Sequence, residues 1–132
     1  MEKIPKEQLE AVPGLFSLAG KVAVVTGGSR GLGRGIALAL AAAGAHVAPL
    51  SRTQADVETV AEEIRSLGRR TLPLAIDITD EEQVQAMARQ MLEEFGRIDI
   101  LVNSAGIVSL KPTIEFPMEE WRKIIRVNVE GT

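Results

Sequence analysis

Six residues, Lys21-Val-Ala-Val-Val-Thr26, run directly into Gly27-Gly-Ser-Arg-Gly-Leu-Gly33 and then into an alanine-rich stretch. The apolar, β-branched run predicts a strand over 21–26. Leu32, Ile36, Leu40 and Ala43 recur at helical spacing and predict a helix over 31–43, closed by Gly44. At the joint, Gly27 permits the tight turn, Gly31 lets a ligand's pyrophosphate approach the backbone, and Gly33 permits close helix–strand packing. Such a joint aims the free amides and positive end of a helix at the C-terminal edge of a sheet, where a dinucleotide phosphate can bind. A glycine-rich turn also occurs for purely structural reasons. Its place at the opening of a strand–helix–strand unit is what favours the nucleotide.

The alternation continues. Strands are predicted over 45–50, where Pro49 weakens the end, over 71–76 and over 98–102. Val57, Val60, Ala61, Ile64 and Leu67 stripe one helix, over 53–67, with Thr53 and Asp56 resembling a cap. Val84, Met87, Ala88, Met91, Leu92 and Phe95 stripe the next, which opens on the capping box Thr79-Asp-Glu-Glu82 and stops at Gly96. A fourth helix starts near Pro117, with Glu119 and Glu120 suited to its positive end, and no stop signal precedes Thr132. Repeated strand–helix units with right-handed crossovers predict an α/β fold: a doubly wound parallel sheet of strand order 3-2-1-4. Residues 1–20 read as a polar lead-in, interrupted by Pro5, Pro13 and Gly14, and residues 21–132 as one domain, truncated before any later strands. Ile100-Leu-Val102 is apolar enough for burial on both faces and is expected to be left as a hydrophobic edge.

Composition narrows the chemistry. There is no cysteine and a single histidine, which removes disulfides, thiolate nucleophiles and zinc sites. A net charge of −3 without a basic stripe argues against nucleic acid as a partner. No apolar run reaches about 18 residues, and the N-terminus lacks a signal-peptide core, so a cytoplasmic location away from membranes is expected. The chain also contains no tyrosine.

Nicotinamide dinucleotide (NAD) sites commonly carry an acid about 20 residues after the glycines, where it binds the ribose 2′-hydroxyl. Here the segment is Leu50-Ser51-Arg52-Thr53. Two guanidiniums, Arg30 and Arg52, with the Ser51 hydroxyl suit a 2′-phosphate, so NADP is expected over NAD; the alternative is that both arginines are ordinary surface residues. Asp77-Ile78 ends a strand on the ligand edge, where Asp77 either accepts from an adenine amino group or forms a turn. Asn103-Ser-Ala-Gly106 offers small residues on that edge, with Asn103 able to tie strands together. Asn128, between Val127 and Val129, reads as a satisfied core amide as readily as a site residue. His46 is expected to start a strand without chemistry, Trp121 and Phe116 to pack under the fourth helix, and Glu81, Glu82, Glu93 and Glu94 to form a solvated face.

Together, Thr26-Gly-Gly-Ser-Arg-Gly-Leu-Gly33, Asp77-Ile78, Asn103-Ser-Ala-Gly106 and Val127-Asn128 resemble the short-chain dehydrogenase/reductase family, over about 15–132. The family usually has a second Asn where Ser104 stands. The resemblance implies a Rossmann-type fold and roles for each segment. The amides around Ser29, Arg30 and Leu32 would hold the pyrophosphate and nearby ribose. Arg30, Ser51 and Arg52 would clamp the 2′-phosphate. Asp77 and Ile78 would hold adenine. Asn103, Ala105 and Gly106 would line the adenosine ribose and the approach to the nicotinamide. Asn128 is similar to the family's catalytic Asn, which holds a water in a proton relay. The family's remaining catalytic members are a Ser and a Tyr-x-x-x-Lys pair on later elements. The resemblance therefore implies the cofactor-binding half of an NADP-dependent oxidoreductase, homo-oligomeric when complete, acting on a small carbonyl or alcohol of gluconate type or on a 3-oxoacyl group. By itself the chain is expected to show no turnover and poor solubility; the competing reading is a non-catalytic nucleotide-binding module.

Overall fold

The computed structural model describes residues 14–132, so most of the lead-in, with Pro5 and Pro13, lies outside the described residues. Strand β1 (Val22–Thr26) is followed by α1 (Gly31–Ala42), β2 (His46–Ser51), α2 (Gln54–Ser66), β3 (Leu74–Ala75), α3 (Glu81–Phe95) and β4 (Ile100–Asn103). A 3₁₀ turn (Thr113–Glu115) leads into α4 (Met118–Ile125), which runs on as a π-helical turn (Arg126–Glu130). The four strands form one parallel sheet in the order β3-β2-β1-β4, as the crossover argument requires.

The whole of β1 is buried, and its side chains feed two cores. Ala23 and Val25 join Val47 against Ala37, Ala41, Val60 and Ile64 of α1 and α2. Val22 and Val24 join Ala48 and Leu50 against Met87 and Met91 of α3. A central parallel strand covered on both faces must be apolar throughout, and this one is.

Several expectations about individual side chains are corrected. The inward face of α1 is Gly33, Ala37 and Ala41, while Leu32 is 84% exposed and Ile36 also reaches the surface. Small residues let the helix lie close to the sheet, and their stripe is one position out of phase with the large ones. Leu67 and Leu92 fall at the outer margins of their stripes and are exposed. Thr53 makes no side-chain cap; instead the Ser51 hydroxyl accepts from the Thr53 N–H and donates to its carbonyl. The α3 cap sits one residue later than expected: the Asp80 carboxylate accepts from the N–H groups of Glu82 and Gln83, and the Gln83 amide reaches back to it. Strand β3 shrinks to two residues plus a bridge between Val47 and Thr71, because Pro73 cannot donate to a ladder. The last helix does not run to Thr132 but closes at Gly131, whose N–H donates to the Arg126 carbonyl five residues back. Trp121 is 52% exposed rather than packed beneath α4, whereas Phe116 is half-buried.

Strand β4 begins two residues later than predicted because Arg97 and Asp99 are used otherwise. The Asp99 carboxylate accepts from the Val22 N–H at 2.9 Å and pairs with Arg97 and Lys21. The Asp99 N–H donates to the Val22 carbonyl, so the residue staples the entries of β1 and β4. These partners hold its carboxyl below the ordinary value of 3.8, Arg97 foremost.

Candidate functional site

A cleft of about 600 Å³ opens at the C-terminal edge of the sheet, where the connections after all four strands converge. This is the edge on which open α/β sheets place their ligands. Its floor is the glycine turn. Gly27 sits at φ +63°, and a Cβ there would come within 2.8 Å of the Ala105 Cα. A Cβ on Gly33 would collide with the Gly27 carbonyl. Both glycines therefore serve close packing of the turn against its neighbours. Gly31, at φ +53°, differs: it lines the cleft, and a Cβ there would meet only open space. No side chain caps α1, in contrast to the Asp80 cap on α3, so the first-turn amides of α1 remain available.

Most of the predicted residues meet here. Gly27, Ser29, Arg30, Gly31, Leu32 and Gly33 line the cleft from the turn. The exposure of Leu32 places it on the cleft wall, not in the core. Ser51 and Arg52 line it from the end of β2, Asp77 and Ile78 from the segment after β3, and Ala105 and Gly106 from the segment after β4. Asn103 ends β4 in register with Thr26 but is absent from the cleft wall. The strand tie expected of its side chain is made by Thr26 instead. The buried Thr26 hydroxyl accepts from the N–H groups of Ser104 and Ala105, each at 3.1 Å, and donates to the Val102 carbonyl. Sequence reasoning placed Thr26 at the end of a strand and at the head of the glycine motif but gave its hydroxyl no role; the available signal was a hydroxyl closing an otherwise aliphatic buried strand.

Asp77 is fixed by Thr79, whose N–H and hydroxyl both donate to its Oδ1, at 2.9 and 2.7 Å. These bonds hold its carboxyl below the ordinary value of 3.8, aided by the nearby positive charges of Arg52 and Arg126. The carboxylate is therefore an acceptor at neutral pH, with Oδ2 unused among the described contacts. The turn-forming and ligand-facing readings of Asp77 are compatible, because Oδ1 makes the turn and the residue still lines the cleft.

Asn128 lies in the π-helical turn beside the cleft. Its Oδ1 accepts from the Ile107 N–H at 2.9 Å, and its Nδ2 donates to the Ile107 carbonyl at 3.0 Å. It is thus a satisfied amide, yet an exposed one, and it clips the segment after β4 to the end of α4. Val127, paired with Asn128 in the sequence motif, also lines the cleft, as do Ile107, Lys123 and Arg126, which were not anticipated. The only sequence signals for these three are that Ile107 follows Gly106 and that Lys123 and Arg126 precede Asn128. His46 opens β2 far from the cleft, stacked on Phe95 and accepting from the Arg70 N–H.

Among the described residues no group of three potential metal ligands is present, and no helix is long and apolar enough to cross a membrane. The family model for "short chain dehydrogenase" matches residues 21–132. A short chain dehydrogenase of Pseudocercospora fijiensis is 42% identical over 116 residues, covering 86% of this chain and 38% of its own. The 2-dehydro-3-deoxy-D-gluconate 5-dehydrogenase of Escherichia coli is 41% identical over 116 residues, covering 88% and 45%. A crystal structure of a short-chain type dehydrogenase/reductase from Mycobacterium marinum superposes with a TM-score of 0.88 at 45% identity, covering 91% of this chain and 49% of that one. The chain spans less than half the length of each of these three proteins.

Proposed function

The chain belongs to the short-chain dehydrogenase family, and from that premise we propose that it forms the cofactor-binding part of an NADP-dependent oxidoreductase interconverting a carbonyl and a secondary alcohol. One observation carries the cofactor reading: the cleft joins an uncapped helix start and a glycine cradle to two guanidiniums, with no acid at the end of β2. The residues fit the dinucleotide. The α1 amides face the position a pyrophosphate would take, and the open side of Gly31 leaves room for it. Arg30, Arg52 and the Ser51 hydroxyl would hold the 2′-phosphate, since forked guanidinium donors match a doubly charged oxyanion. Asp77 and Ile78 would hold adenine, and Asn103, Ala105 and Gly106 the path toward the nicotinamide.

The bound nicotinamide supplies or takes up the hydride. Asn128 would take part in the proton relay. Its amide is committed on both sides to Ile107, so the side chain positions the segment bordering the cleft, and the proton path would pass beside it. The remaining proton donor in this family is a Tyr, and these 132 residues contain none. A second reading is nucleotide binding without turnover by these 132 residues alone. The similarity to the gluconate-series dehydrogenase of E. coli supports a small sugar-acid-type substrate, and the complete enzyme would self-associate.

The test is a swap of cofactor preference. Arg52→Asp places an acid where a ribose 2′-hydroxyl would lie, and is expected to weaken NADP binding about a hundredfold while NAD binding holds or improves. Calorimetric titration with both cofactors measures it; an unchanged NADP-to-NAD ratio would refute the assignment. Ketone reduction assayed on the same protein separates the two readings, because binding without reduction supports the module.

A further inference from the structure

Away from the cleft, Lys21, Arg34, Arg65, Arg70, Arg97 and Lys111 each meet a carboxylate, while Arg69, Arg89 and Arg122 make no ion pair among the described residues. The four that line the cleft, Arg30, Arg52, Lys123 and Arg126, make no ion pair among the described residues. They come from opposite walls. Arg30 and Arg52 stand on the turns after β1 and β2, while Lys123 and Arg126, three positions apart, stand on α4 and its π-helical turn. Lys123 and Arg52 also both line an adjoining cavity of about 480 Å³, so the two walls approach each other at this end of the cleft. Glu119 and Glu120 line that cavity too, but Glu120 is engaged by Lys111. Gly131 packs tightly on Ile78: a Cβ there would come within 2.9 Å of the Ile78 Cδ1, which fixes the end of α4 against the Asp77-Ile78 segment. Of the cleft's own acids, Asp56 and Asp77, the second has one oxygen tied to Thr79. The wall is therefore net positive, four cations against two acids, and Arg52 and Arg126 approach the Asp77 end from two sides. A pyrophosphate on the α1 amides needs none of this. A compact dianion between the walls would use it, because opposing cations in a partly desolvated cleft reinforce each other on one charged group.

We propose that Lys123 and Arg126 form a second bank of positive charge, borne on α4 opposite Arg52, that selects the 2′-phosphorylated cofactor. The inference rests on reading the cleft as an NADP site. Its test keeps the two apart by titrating the protein with 2′,5′-ADP and with 5′-AMP, followed by calorimetry or by the fluorescence of Trp121, the single tryptophan, on α4. If the wild type binds both nucleotides equally, the NADP reading itself fails, and the bank with it. If the wild type prefers 2′,5′-ADP, the double variant Lys123→Gln/Arg126→Gln is expected to lose about tenfold in affinity for it and to keep 5′-AMP affinity within about twofold. Equal losses on both nucleotides, or no loss on either, would overturn the bank while leaving the NADP reading intact. Arg122→Gln removes the same charge from α4 at a position off the cleft wall and is expected to change neither affinity; a loss matching that of Arg126→Gln would mean a diffuse field and also overturn the assignment. Lys123 and Arg126 are both exposed, so the variants are expected to fold, and far-UV circular dichroism checks this.

Discussion

Thr26 ends β1 with the only polar side chain among the buried described residues, and three backbone groups depend on it. Replacing it with valine keeps the volume and removes the acceptor of two N–H groups. Thr26→Val is expected to destabilise the fold by about 1–3 kcal/mol, the cost of orphaning partly buried donors. Thr26→Ser should restore most of that, and a shift in the urea midpoint at unchanged slope measures both. At this scale the sequence was informative where geometry demands one residue type. Gly27 and Gly33 were legible because only glycine fits. Asn103 was not, because a polar residue at a strand end does not reveal which of two neighbours makes the tie.

Elements were more legible than their faces. All four strands and their order followed from the alternation of apolar runs and helical stripes, whereas the stripe of α1 was read from Leu32 and Ile36 when the buried face is Gly33, Ala37 and Ala41. Large apolar residues dominate a periodicity count, and a helix pressed on a sheet buries the small ones. The α3 cap was misplaced for a related reason: Thr79 and Asp80 are both good caps, and Thr79 is drawn away by Asp77. Asp80→Ala is accordingly expected to lower the thermal midpoint by about 4–8 °C, with Asp80→Asn recovering most of it, whereas Thr79→Ala should leave the α3 cap intact. Differential scanning calorimetry of the three variants checks this. The π-helical turn after α4 carried no advance signal, since one extra residue per turn leaves no mark on composition.

At the scale of the molecule, β4 is the lone edge strand on its side of the sheet, and Leu101 on it is 59% exposed. Its hold on β1 depends on four paired residues, the Thr26 clasp and the Asp99 staple. Asp99 and Asp77 both have carboxyls held below 3.8 in the folded chain. Their stabilisation is complete above that unfolded-state value and is lost as pH falls through the lower folded values. Hydrogen exchange is expected to show β4 amides losing protection on acidification before those of β1 and β2, and Asp99→Asn should lower β4 protection already at neutral pH and flatten its fall on acidification; simultaneous loss across the sheet would refute it.

The staple also orders assembly in time. Val22 finds His46 after a short crossover, but its bond to Asp99 closes a span of 77 residues. The longer loop costs more entropy to close, so β1, α1 and β2 can condense as a nucleus while β4 is still unattached. The glycine turn forms with that nucleus, whereas Ser104, Ala105 and Gly106 arrive with β4. A nucleotide that touches both walls therefore binds only the finished sheet, and by mass action draws the last strand home.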